Sequence, residues 1–302
     1  MTIRARRRIS GYSVEPTWDM QWPSITPLDK VVAEWSALAA EAHAAFVAGN
    51  PLGPRPPLER LSRVIGGQWP RAPIVLHAQP GVGKTSFALQ SATEAGCPTL
   101  FVTAEMRPVD LLQRLTARLT ETPLSDLKSG KMPAAEVTDL ARRAASMAGN
   151  VCILDATQGG APPHRLQVRV REVRGGASHC LVIVDSLHSL AFSVYPELPE
   201  YEALNVVLAA LVELTIVEPC SVLAIVERNR ANMTEGGLSA GAGSRKIEYS
   251  ASLILELHSN TSDRPDADGK LPVSLHITKN RDGPSGIKLP LYFYGALQMF
   301  CE

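Results

Sequence analysis

The stretch AQPGVGKTSF, residues 78–87, follows the apolar run PIVLH and leads into the helical pattern SFALQSATEA. A strand, a glycine loop and a helix in that order make the setting of a phosphate-binding loop. Gly81 and Gly83 carry no Cβ, so the backbone can turn its N–H groups inward as a concave anion nest. The helix that starts there adds its positive dipole end. Lys84 sets a point charge against the β and γ phosphates, and Thr85 offers a hydroxyl to magnesium. Gly81, Val82, Gly83, Lys84, Thr85 and Ser86 are thus the candidates for holding ATP. Ala78 stands where the pattern GxxxxGK[ST] has its first glycine. The bland alternative, a chance glycine-rich turn, would have to fall between strand and helix by accident.

Outward from the loop the pattern alternates. PIVLHA (73–78), PTLFVTA (98–104), VCILDA (151–156), CLVIVDS (180–186) and SVLAIVE (221–227) read as buried strands, with helical segments between them. Continuous apolar strands separated by helices predict a parallel sheet covered on both faces. ASLILELH, LPVSLHITK and IKLPLYFY are separated only by turns, and they predict antiparallel strands added at one edge. The expected fold class is α/β, a P-loop nucleotide-binding domain over residues 55–302. Residues 1–54 are expected to form an arm, an alanine-rich helix at 30–48 and a proline-rich linker.

Two carboxylates fit hydrolysis. Asp185 ends the strand LVIVD, where it can hold magnesium as a Walker B residue. Ser186 follows it rather than a second acid, so the base that activates water comes from elsewhere. Glu105, at the end of PTLFVTAE, is the candidate, expected beside the phosphate loop. The alternatives are a helix or turn cap for Asp185 and a solvated loop acid for Glu105.

Thirty basic residues balance thirty acidic ones in 302, so no global field draws the chain to nucleic acid or membrane, and a polyanion site must be local. The five cysteines are scattered without a CxxC pair and read as reduced thiols, which points to the cytoplasm. The longest apolar segment, ALNVVLAALVELTIV, is short for a membrane span and contains Glu213. Neither a membrane nor a secretory signal is expected.

GQWPRAPIVLHAQPGVGKTSFALQ, FVTAEM, LVIVDSLHSL, AIVERNR, GSRKIEYSASLILEL and ITKNRDGPSG occur in that order. Together they closely resemble the carboxy-terminal motor domain of DnaB-type replicative helicases, a RecA-like fold, over roughly residues 55–302. The resemblance implies ring-shaped hexamers that hydrolyse ATP with magnesium at subunit interfaces and pull single-stranded DNA through the centre. It implies that Lys84 and Thr85 bind phosphate and magnesium, that Asp185 is the Walker B acid, and that Glu105 is the catalytic base. It makes KNR the family's KxR, with Lys279 and Arg281 reaching into the neighbouring subunit's site. By itself KNRDG also reads as a basic hairpin turn. Glu227 stands where the family has a glutamine that senses the γ phosphate. A carboxylate there repels phosphate unless it is protonated or paired, for example with Arg228 or Arg230.

The glycine-rich segment NRANMTEGGLSAGAGSRK (229–246) follows a central strand. It is either a pore loop, with Arg230, Arg245 and Lys246 following a DNA backbone, or a mobile surface loop. HSLAFSVYPELPEY (188–201) reads as a second loop, suited to contacts rather than to clamping DNA. Two functions are compatible with this sequence. One is an ATP-dependent DNA motor or DNA-stimulated ATPase. The other is an ATP-binding switch or scaffold that assembles and engages a protein partner through residues 1–54.

Overall fold

The computed structural model describes residues 25–49, 52–159, 161–227, 249–259 and 264–302. A first helix, α1 (Leu28–Val47), has no buried residue, and a short α2 (Glu59–Val64) follows. Strand β1 (Pro73–Ala78) leads through the glycine loop into α3 (Lys84–Glu94), β2 (Thr99–Thr103) and α4 (Pro108–Leu119). Two more helices, α5 (Leu124–Lys128) and α6 (Ala134–Met147), precede β3 (Val151–Asp155) and α7 (Pro163–Arg174). Then come β4 (Cys180–Asp185), α8 (Leu187–Val194), α9 (Glu200–Val217) and β5 (Cys220–Glu227). The chain ends in β6 (Leu253–His258), β7 (Lys270–Asn280), β8 (Ile287–Tyr294) and β9 (Met299–Cys301).

These strands form one sheet in the order β3-β2-β4-β5-β1-β6-β7-β8-β9. β1 to β6 run parallel, and β7 to β9 join antiparallel. The parallel strands are apolar throughout because alternate side chains enter two different cores. Ile74, Leu76, Leu181 and Ile183 pack on one face with Phe87 and Leu89 of α3 and Leu111 of α4. Val75, Val182 and Val184 pack on the other with Leu166 of α7, Leu190 of α8 and Leu208 of α9. In β8 only every second residue is buried (Leu289, Leu291, Phe293), as expected where one face of an antiparallel strand meets water.

The antiparallel end of the sheet reaches α3 and fixes it. Gln90 bonds both ways to the backbone of Phe300 on β9: its Nε2 donates to the carbonyl at 3.1 Å, and its Oε1 accepts from the N–H at 2.9 Å. The Phe300 ring meets Phe87 edge-on with centroids 5.6 Å apart, and it stacks on Phe293 at 4.7 Å. Such aromatic pairs contribute about 1 kcal/mol each beyond the area they bury. At Gly83 the backbone comes so close to these rings that a Cβ would lie 2.9 Å from Phe300 and 3.0 Å from Phe293. Its φ of 96° is also left-handed, so glycine is required there twice over.

Two expectations are corrected. Residues 188–201 are not one loop, because α8 continues to Val194, capped by Ser186, whose Oγ accepts from the N–H of Ser189. A serine at a strand end carries no periodic signal, so the cap was not visible in the pattern. Nor does β2 lie next to β1. β4 and β5 stand between them, so Glu105 emerges beside the end of β4 rather than directly beside the glycine loop.

Candidate active site

The loop after β1 turns through Gly81 (φ 85°) and Gly83 (φ 96°), both left-handed, and α3 begins at Lys84. The first N–H groups of α3 have no carbonyl four residues back, so they are available to an anion at the helix end. Val82 is buried in the core below the loop. The hydroxyl of Ser86 is buried and donates to Gln298 Oε1 at 2.9 Å, so its side chain anchors the helix while its N–H stays in the first turn.

Thr85 Oγ1 donates to Asp185 Oδ2 at 2.7 Å. This contact spans from α3 across β5 to the end of β4. It joins two of the predicted residues into a pair suited to a divalent cation, a hydroxyl and a carboxylate side by side. Asp185 is only 3% exposed. Burial pushes its carboxyl from 3.8 up to about 6. The Thr85 hydrogen bond pulls it down, nearby Glu105 raises it, and Lys84 and Arg114 lower it. A buried carboxylate held this high gains most from a metal ion, so the residues present fit magnesium.

That burial has a consequence for the nucleotide-free protein. The folded-state pKa lies above the unfolded value of 3.8. Ionised Asp185 therefore costs stability above about pH 6, and the cost fades as pH falls from about 6 to 4 because the folded state then takes up the proton first. Asp185→Asn is expected to stabilise the apo protein at neutral pH by up to about 3 kcal/mol, while abolishing hydrolysis. Denaturant midpoints of the two proteins should converge toward pH ~4. Parallel stability profiles across that range would show that the carboxylate is not held as described.

Glu105 lies two residues past β2. Thr103 pairs with Asp185, and the Ala104 N–H donates to the Asp185 carbonyl at 2.8 Å. The Glu105 side chain is exposed, and its Oε1 accepts from the hydroxyls of Ser186 and Ser189, the second at 2.8 Å. A cleft of about 870 Å³ opens beside it, lined in part by Ala104, Thr157, Ser189, Phe192 and Tyr195.

Two residues that sequence reasoning passed over join this region. Arg114 on α4 donates to Gln298 Oε1, the same atom that receives Ser86. Burial pulls its guanidinium pKa down, against the pull of Asp185 and Asp110. A lone arginine in an amphipathic helix and a glutamine in a C-terminal turn carry no local signature. They meet only because the β8–β9 hairpin folds over α3.

Lys279 and Arg281 are not brought to this site. Lys279 is half-buried near the end of β7, opposite Ile254, and Arg281 is exposed just beyond it. The Arg281 N–H donates to the Ser252 carbonyl, and the Ser252 N–H donates to the Pro73 carbonyl. Arg281 thus sits by the first residue of β1, whereas the glycine loop follows the last. Glu227 ends β5 in register with Ala78. Its side chain, like Arg230, Arg245 and Lys246, lies outside the described residues.

The sequence matches the family described as DnaB-like helicase C terminal domain over residues 55–302. The chain belongs to that family. The replicative DNA helicase DnaB of Treponema pallidum is 26% identical over 243 residues, covering 76% of this chain and 51% of that protein. The corresponding DnaB of Pasteurella multocida is 25% identical over 259 residues, covering 80% and 54%. The chain therefore spans about half the length of these curated relatives. Among solved structures, a DnaB-like replicative helicase described with its primase interactions superposes with a TM-score of 0.71 at 18% identity, covering 92% of this chain and 67% of that one. A KaiC-like protein from Pyrococcus horikoshii superposes with a TM-score of 0.54 at 19% identity, covering 82% and 96%. These likenesses establish the fold, a mostly parallel RecA-like sheet with antiparallel strands at one edge. This DnaB-like domain carries no helix, among its described residues, long and apolar enough to cross a membrane.

Proposed function

We propose that residues 55–302 form an ATP-hydrolysing motor that works on single-stranded DNA as a ring of identical subunits, a hexamer. The observation that carries the reading is the Thr85–Asp185 pair at the glycine loop, with Glu105 beside the end of the strand that carries Asp185.

In this reading the loop amides from Gly81 to Ser86 and the Lys84 ammonium take the triphosphate. Thr85 and Asp185 would hold a magnesium ion, which would supply neutralisation of charge on the phosphates. Glu105 Oε2 accepts a proton from a water whose oxygen bonds to the γ phosphorus as the bond to the bridging oxygen breaks. ADP and phosphate are the products. Lys279 and Arg281 complete the site of the next subunit, where their charge stabilises the transferring phosphoryl group. Glu227 beside Ala78 needs a proton or a cationic neighbour once phosphate is bound.

The names of the curated relatives support DNA as the track. With no net charge on the chain, DNA contacts fall to local groups, for which Arg230, Arg245 and Lys246 are the candidates. Residues 1–54 are the candidate region for engaging a protein partner. In α1, Trp35, Leu38 and Phe46 are all exposed, an apolar stripe suited to such a partner. A cytoplasmic setting fits the free cysteines.

The test is ATPase activity titrated with single-stranded DNA at two salt concentrations. Saturable hydrolysis, stimulated by DNA and more strongly at low salt, is expected. ATP-dependent assembly without any hydrolysis would replace the motor by a nucleotide switch. No affinity for magnesium and ATP would remove both.

A further inference from the structure

The strand end LVIVDS puts a serine where a second acid would serve a hydrolase. The structure gives that serine another task. Ser186 Oγ and Ser189 Oγ both donate to Glu105 Oε1, and the two hydroxyl oxygens lie 3.1 Å apart. Ser186 Oγ also receives the N–H of Ser189 at 3.4 Å. One atom thus caps α8 and grips the carboxylate. Among the described residues nothing hydrogen-bonds to Oε2 of Glu105.

We propose that Ser186 and Ser189 are positioning residues, a two-hydroxyl clamp that holds Glu105 by one oxygen and leaves the other aimed at the attacking water. The proposal rests on the hydrolytic reading above. Its physical basis is that Glu105 is exposed, two residues past a strand end, with three rotatable side-chain bonds. Unheld, such a side chain spreads over many rotamers and meets the water in few of them. Two donors on Oε1 select one arrangement. Both donors belong to the first turn of α8, whose other residues Leu187, Leu190 and Ala191 are buried in the core. The helix is a rigid mount, and the base takes its position from it rather than from the loop that carries it.

The clamp acts through Glu105 and touches no phosphate, so its loss should appear in the turnover rate and not in ATP affinity. For Ser186→Ala/Ser189→Ala, kcat is expected to fall on the order of 100-fold, with KM for ATP changing by no more than about two-fold. Ser189→Ala alone is expected to lose about ten-fold, and Ser189→Thr, which keeps the hydroxyl, to recover most of that. Ser189→Ala also guards against the chance that losing the Ser186 cap unfolds α8. The second readout is a crystal structure of the Ser189→Ala protein, in which the Glu105 carboxylate should leave its wild-type position or lose its density. If that carboxylate stays in place, or if kcat is unchanged within about two-fold, the clamp is refuted. If the wild-type protein hydrolyses no ATP, the functional reading fails, and the crystallographic comparison still decides the clamp.

Discussion

Glu105→Gln is expected to lower the maximal rate of ATP hydrolysis by on the order of a thousand-fold and to leave nucleotide binding intact. Glutamine keeps the length and shape of the side chain. Its amide oxygen still accepts from the hydroxyls of Ser186 and Ser189, which hold Oε1 of the native carboxylate. What it loses is the second oxygen's capacity to take a proton. The substitution therefore removes basicity without removing position. A negative charge near Asp185 also disappears, and Glu105 is one of the groups that raise the Asp185 pKa. Magnesium binding should accordingly be preserved or slightly altered, not abolished. The measurement is steady-state turnover beside calorimetric affinity for a non-hydrolysable ATP analogue. A variant that turns over within a few-fold of wild type would place the base elsewhere.

Arg281→Ala, in turn, is expected to silence hydrolysis by about a thousand-fold, the scale set by arginine fingers in other phosphoryl-transfer enzymes. The reason to expect action across an interface lies in the sheet. Arg281 is bonded through Ser252 to Pro73, at the start of β1. The glycine loop follows Ala78, five residues further along the same strand. At about 3.3 Å per residue the two ends are roughly 16 Å apart, beyond the reach of one arginine side chain. If the proposed ring forms, a finger at one end of β1 and a loop at the other would serve two different interfaces, as a head-to-tail arrangement requires. Mixing Arg281→Ala protein with Lys84→Ala protein should then restore activity. An interface works when an intact loop meets an intact finger, so equal mixing yields about a quarter of the wild-type rate if interfaces act independently. Rescue at no mixing ratio would show that the finger is another residue or that subunits do not exchange sites.

The contrast between these two residues marks how far the chain could be read without its structure. Glycines, a lysine and a threonine between a strand and a helix form a local pattern, complete within ten residues, and the structure has β1, the glycine turn and α3 in that order. The place of Asp185 was legible for a similar reason, since it closes a fully apolar strand. The antiparallel additions could be read from the short turns that separate them. Arg114 and Gln298 could not. They are 184 residues apart in sequence, and they meet because the last hairpin closes over α3. Ser189 was read as part of a loop, because eight residues of helix give too short a periodicity to stand out.

The sequence by itself determined the glycine turn between strand and helix, the apolar strands and the family to which this motor-like domain belongs. Each of these is written in neighbouring residues, where backbone freedom and hydrophobic period act locally. Only the tertiary structure decided that β4 and β5 separate β2 from the loop, that two serines grip Glu105, and that Arg281 lies at the opposite end of β1 from the glycine loop. Those facts depend on strand order and on where a helix comes to rest, which are settled by packing between distant segments rather than by any one of them.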